Sequence, residues 1–142
     1  MADDVLLNKA ATIERCILRA REEYEADPAT FATNYSRQDA AILNIQRACE
    51  AALDMGQYLI RRERLGITQS SRDVFRLLAE SGWISAELAA AMQRMVGFRN
   101  IAVHDYQKLS IPITVQVITH HLHEFADYSS VILKQDAGTV SG

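Results

Sequence analysis

Apolar residues recur at three- and four-residue steps through most of the chain, the spacing that lines one face of a helix with 3.6 residues per turn. Leu6, Ala10, Ile13, Ile17, Ala20 and Tyr24 form such a stripe from about Val5 to Ala26. Asp27-Pro28 ends it, because the residue before proline avoids the αR region. After a connector over 29–35, Ser36-Arg37-Gln38-Asp39 reads as a capping box with Ser36 accepting from first-turn N–H groups. The second helix continues to about Arg64 with Ile42, Ile45, Ala48, Cys49, Ala52, Met55 and Leu59 inward, and Leu65-Gly66 stops it. Ser70 and Asp73 open a short third helix through Val74, Leu77 and Leu78, which Ser81-Gly82 closes. Ser85 caps the fourth, Glu87 complements its positive end, and Leu88, Met92, Met95 and Val96 face the core. Ser110 and Pro112 open the fifth, which runs to about Gln135 on Val115, Ile118, Leu122, Phe125, Tyr128 and Ile132. Five helices joined by short connections predict an all-α antiparallel bundle. Residues 1–137 form a single domain in this reading, with 138–142 as a flexible tail.

Composition narrows the class. Two prolines and six glycines leave little material for the turns of a β-sandwich. Cys16 and Cys49 fall inside helical stripes and read as small buried hydrophobes of a reduced, cytoplasmic protein. The opening Met1-Ala2-Asp3-Asp4 lacks the basic start of a signal peptide, and no apolar run is long enough to span a membrane. The net charge of −3 does not suggest a nucleic-acid binder, but its distribution is uneven. Residues 61–108 carry eight basic and five acidic side chains, while the flanking stretches are acidic. A local basic stripe on an acidic protein can still hold phosphates.

One stretch breaks the amphipathic pattern: Gly97-Phe98-Arg99-Asn100-Ile101-Ala102-Val103-His104-Asp105-Tyr106. Asn100 and His104 share one helix face, and Arg99, Val103 and Tyr106 share another. Arg99 and His104, five apart, point about 140° away from each other on an ideal helix. They converge only if the helix ends between them or if a symmetry mate supplies one of the pair. The spacing Arg99-x4-His104 resembles that of the HEPN superfamily of ribonucleases, which implies metal-free RNA cleavage, in which the ribose 2′-OH attacks the adjacent phosphate. That reaction needs a proton-transfer group and a cation for the developing charge. Histidine is the side chain whose ordinary titration range spans neutrality, and arginine offers a planar fork matched to phosphate oxygens. Asn100 can orient His104 or the phosphate.

The extension His104-Asp105-Tyr106 narrows the resemblance to the HepT group. Those proteins are toxins encoded beside a minimal nucleotidyltransferase (MNT) antitoxin. The resemblance implies catalytic Arg99 and His104, supporting Asn100 and Asp105, and a further supporting acid for which Glu50 and Asp54, one turn apart, are the candidates. It also implies a homodimer with both motifs in one cleft, an RNA substrate, and neutralisation by transfer of AMP to Tyr106. The chain itself is expected to need no cofactor or metal; ATP and Mg²⁺ serve the partner nucleotidyltransferase.

Other readings compete. The chain can be a non-catalytic substrate- or nucleotide-binding subunit of a nucleotidyltransferase, or a helical dimerisation module. His120 and Glu124, one turn apart beside His121 and His123, are a weak metal-ligand pair; a solvated histidine face is the plainer account. Arg61-Arg62-Glu63-Arg64 is a helix C-terminal charge cluster within reach, in principle, of RNA phosphates.

Overall fold

In a computed structural model, which describes residues 3–141 with side chains through 138, four long helices alternate in direction around one core. α1 (Asp4–Glu25), α2 (Tyr35–Glu63), α4 (Ala86–His104) and α6 (Leu122–Ser141) are the long ones; α3 (Ser71–Glu80) and α5 (Ile111–His120) are short. Two 3-10 turns, Pro28–Thr33 and Tyr106–Lys108, complete the order. Among the described residues there is no strand, and no helix is long and apolar enough to cross a membrane. The backbone of α6 is continuous through Gly138. The tail expected over 138–142 otherwise falls on residues whose side chains lie outside the described set.

Side-chain pairs fix the directions. Lys9 Nζ meets Asp54 Oδ2 at 3.2 Å and Asp3 meets Tyr58 and Arg62, so α1 and α2 are antiparallel. Tyr128 donates to the Ala52 carbonyl at 2.7 Å and Asp136 pairs with Arg62, so α6 runs parallel to α2 and antiparallel to α1. The predicted stripes supply most of the core: Leu6, Ile13, Ile45, Met55, Leu59, Met92, Leu122, Phe125 and Tyr128 are fully buried. The first 3-10 turn adds Phe31, which packs edge-on to Tyr24 at 5.3 Å while its carbonyl accepts from buried Gln38.

Two boundaries depart from the sequence pattern, and the end of α2 falls where Leu65-Gly66 marks it. The expected fifth helix is two. His121 leaves the αR region (φ −124°), its N–H closing α5 on Val117 and its carbonyl accepting from Glu124 to start α6. The pattern hid this bend because the buried stripe stays in phase across it, from Ile118 to Leu122. Asn34, not Ser36, caps α2, its side chain accepting from the Arg37 N–H at 3.1 Å. That helix stops at Arg64, which takes the left-handed conformation (φ 54°) before Gly66, with the Leu65 N–H returning to the Ile60 carbonyl.

One end of the bundle is pinned by Arg62. Its Nη1 reaches Asp3 Oδ2 at 2.8 Å and its Nη2 reaches Asp136 Oδ1 at 2.7 Å, while its guanidinium lies 5.9 Å from the Trp83 ring. Arg62 thereby ties the start of α1, the end of α2 and the end of α6. It lies about 35 Å along α2 from Asp39, at the opposite end.

Tight packing at α2 has a direct test. A Cβ added to Gly56 would stand 2.5 Å from Val74 Cγ1 and 2.9 Å from the Tyr128 hydroxyl. Val74 is β-branched and fully buried, and Tyr128 is tethered to Ala52, so neither yields easily. Overpacking costs about 1–3 kcal/mol, against about 1 kcal/mol of helix propensity gained by alanine. Gly56→Ala is therefore expected to lose up to about 2 kcal/mol, measured by denaturant unfolding; a raised midpoint contradicts this packing.

Candidate active site

α4 carries the unusual stretch, and its C-terminal half is wedged between α2 and α3. Arg99 is half-buried there. Its Nη2 donates to Ser71 Oγ at 3.1 Å, its Nε is buried without a hydrogen-bond partner, and its guanidinium also contacts the Cys49 thiol. Among the described residues no carboxylate lies within ion-pairing distance of Arg99. Arg62, Arg76 and Arg19, by contrast, each pair with carboxylates. Arg99 is thus a cation held by neutral partners, its charge left for something else. Burial pushes the Cys49 thiol up to about 12, with the Arg99 charge working against that rise. Cys49 is a packed thiol, not a nucleophile.

α4 remains helical through His104, its last residue, which is exposed. Asp105 ends it with an extended φ of −153°; its N–H still reaches the Ile101 carbonyl, and its own carbonyl accepts from Lys108 to form the second 3-10 turn. The Asp105 carboxylate pairs with Lys108 Nζ at 3.1 Å, which braces that turn. Tyr106, first in the turn, swings back across α2, and its hydroxyl donates to Asp39 Oδ1. Burial first, then the Asp39 hydrogen bond and charge, push the Tyr106 phenol up to about 12. With Arg99 on Cys49 and Tyr106 on Asp39, α4 descends α2 antiparallel, and the motif spans the N-terminal half of α2.

The sequence model of the ribonuclease HepT-like family matches residues 13–132. The chain belongs to this family. Of the curated proteins similar to it, the mRNA nuclease HepT of Shewanella oneidensis is 47% identical over 130 residues, covering 92% of this chain and 97% of the relative. Of solved structures, a tri-AMPylated Shewanella oneidensis HEPN toxin in complex with MNT antitoxin matches with a TM-score of 0.87 at 47% identity, over 92% of this chain and 97% of that one. A toxin–antitoxin structure with AMP-PNP matches with a TM-score of 0.88 at 46% identity, over 92% and 98%.

In this HepT-like chain the residues singled out from the sequence fall into separate places. Arg99 and Asn100 are half-buried, His104 and Tyr106 are exposed, and Asp105 serves the turn. Glu50 and Asp54 line a polar groove of about 620 Å³ between α1 and α2, with Arg15, Arg47 and Lys9. Glu50 accepts from Gln46 and Asp54 pairs with Lys9. The carboxylate set against the motif is Asp39, which the sequence reading passed over. A signal existed: Asp39, Gln46 and Glu50 lie on one stripe of α2. Choosing along the stripe required knowing where α4 ends against α2. His120 and Glu124 are separated by the bend at His121; instead His121 meets Glu124 at 2.9 Å and His123 meets Asp127 at 3.2 Å. Among the described residues no three metal-ligating side chains come together.

The burial of Arg99 against Cys49 predicts a labelling result. In the native protein Cys49 should resist a disulfide reagent at about pH 8, where an accessible thiol reacts freely. Arg99→Ala should speed its labelling at least several-fold by uncovering the sulfur. Labelling of Cys49 in the unaltered protein at the rate of a small thiol would contradict the placement of Arg99.

Proposed function

We propose that this HepT-like chain is the toxin of a toxin–antitoxin pair: a cytoplasmic, metal-independent endoribonuclease acting as a homodimer through Arg99 and His104. The observation that carries the reading is Arg99, a fixed guanidinium with no carboxylate partner, in a motif that ends on the exposed imidazole of His104. Arg99 binds the scissile phosphate and stabilises the negative charge that builds on it as the 2′-OH attacks. His104 moves the proton, and Asn100 orients the imidazole or the phosphate. The chemistry takes its nucleophile from the RNA and asks no metal of the chain.

Dimerisation follows from helix geometry. With α4 continuous through His104, Arg99 faces α2 and α3 while His104 faces out, so one chain does not aim both at a single phosphate. A second copy supplies the missing half. A groove of about 260 Å³ between α4 and α5 is lined by Met95, Phe98, Ile101, Leu109 and Ile113. Ile101, 42% exposed, and Ile113, 58% exposed, are the kind of side chains a two-fold contact covers.

A cognate MNT-type nucleotidyltransferase is the antitoxin in this reading. It uses ATP and Mg²⁺ to place AMP on Tyr106, as the tri-AMPylated state of the similar toxin supports. The added phosphate places a bulky anion on the motif that also carries Arg99 and His104, where it repels incoming RNA.

Arg99→Ala and His104→Ala are each expected to lower RNA cleavage at least about 100-fold without shifting the thermal midpoint materially. Cleavage should persist in excess chelator, whereas AMP transfer by the partner should stop. Nucleotide binding with no cleavage by the unaltered protein would instead favour a non-catalytic binding subunit.

A further inference from the structure

We propose that Asp39 is the general base for AMP transfer to Tyr106, so that the toxin chain itself supplies the group that activates its own acceptor. This rests on the reading of Tyr106 as the acceptor. The two residues are 67 apart in sequence, and the antiparallel descent of α4 along α2 joins them: the Tyr106 hydroxyl donates to Asp39 Oδ1. Tyr106 is 43% exposed, open enough for a triphosphate to reach its oxygen, and Asp39 beside it is exposed and able to release a proton to solvent.

The phenol needs such help. Pushed up to about 12 by burial and by Asp39, it keeps its proton at neutral pH. A protonated phenol is a poor nucleophile until a base takes the proton during attack. Neighbouring groups are otherwise placed. Asp105 is engaged with Lys108, and among the described residues the Tyr106 hydroxyl donates to Asp39, not to His104.

The step balances. The Tyr106 oxygen forms a bond to the α-phosphorus of ATP as its proton passes to an Asp39 oxygen. The bond from the α-phosphorus to the bridging oxygen breaks, and pyrophosphate leaves with that electron pair, assisted by the partner's Mg²⁺. The proton on Asp39 is then lost to solvent. The product has no O–H to donate, so the tie between the 3-10 turn and α2 is gone, and a phosphodiester anion stands beside the Asp39 carboxylate. Their repulsion disfavours return to the original arrangement.

Single-turnover AMP transfer by the cognate nucleotidyltransferase, with ATP and Mg²⁺ and intact mass as readout, separates a base from a tether. Asn at position 39 can still accept the Tyr106 hydrogen bond but cannot take its proton. Asp39→Asn and Asp39→Ala should therefore both slow transfer about 100-fold or more at saturating partner. The half-saturating partner concentration should not change, and Asp39→Glu should recover most of the rate. Asp39→Asn transferring at the unaltered rate, with Asp39→Ala slow, would reduce Asp39 to a tether and overturn the proposal. Tyr106→Phe is expected to stay unmodified; if it accepts AMP at the full rate, the acceptor assignment falls as well. Loss of transfer in Tyr106→Phe beside full transfer in Asp39→Asn would remove the base alone.

Discussion

The arrangement at the site depends on one constraint: α4 keeps its helical turn through His104. Five residues of unbroken helix set Arg99 and His104 about 140° apart. One of them is consequently drawn inward and the other outward. Arg99 goes in, where Ser71 and the Cys49 thiol hold it without neutralising it. His104 goes out, to an exposed position at the end of α4. Had the helix broken after Arg99, one chain could gather both groups, and the exposed Ile101 and Ile113 would have no evident purpose. On the proposed reading, a continuous α4 makes the chain half of a site.

The same helix sets the second relationship. Because α4 ends level with the first turns of α2, the 3-10 turn that follows folds Tyr106 back onto Asp39. The motif ends at that end of the bundle, while Arg62 knots three helices together at the other. The Tyr106 side chain is tied to α2 by its hydrogen bond to Asp39, and the Asp105–Lys108 pair braces the turn internally. The Asp39 hydrogen bond and the Asp105–Lys108 pair are both exposed, and exposed pairs contribute at most about 1 kcal/mol. A turn held this lightly can present its tyrosine to another protein without unfolding the core.

Much of this was legible in the sequence. The stripes of Ile13 and Ile17, of Ile45 and Leu59, and of Phe125 and Ile132 named the core because burial imposes the helical period directly. Arg99, His104 and Tyr106 stood out because they interrupt that period. Features depending on local backbone conformation were not legible: the bend at His121 leaves the apolar phase intact, and Arg64 adopts a conformation for which glycine is the usual marker. Features depending on how two helices align end to end were not legible either. Asp39 lies on the same stripe as Glu50, and only the level at which α4 stops against α2 selects between them. The ribonuclease HepT-like family match, in turn, names the family and is silent on which residues, of which chain, build the site.

The most direct test of that central claim is subunit mixing. Arg99→Ala and His104→Ala proteins, each inactive alone, are denatured together in equal amounts and refolded, and RNA cleavage is measured. If a site draws Arg99 from one copy and His104 from the other, half of the refolded dimers carry one intact site of two. Activity then returns to about a quarter of the unaltered level. A mixture as inactive as its components, with mixed dimers verified by mass, would mean that each chain builds its site alone and would contradict the account.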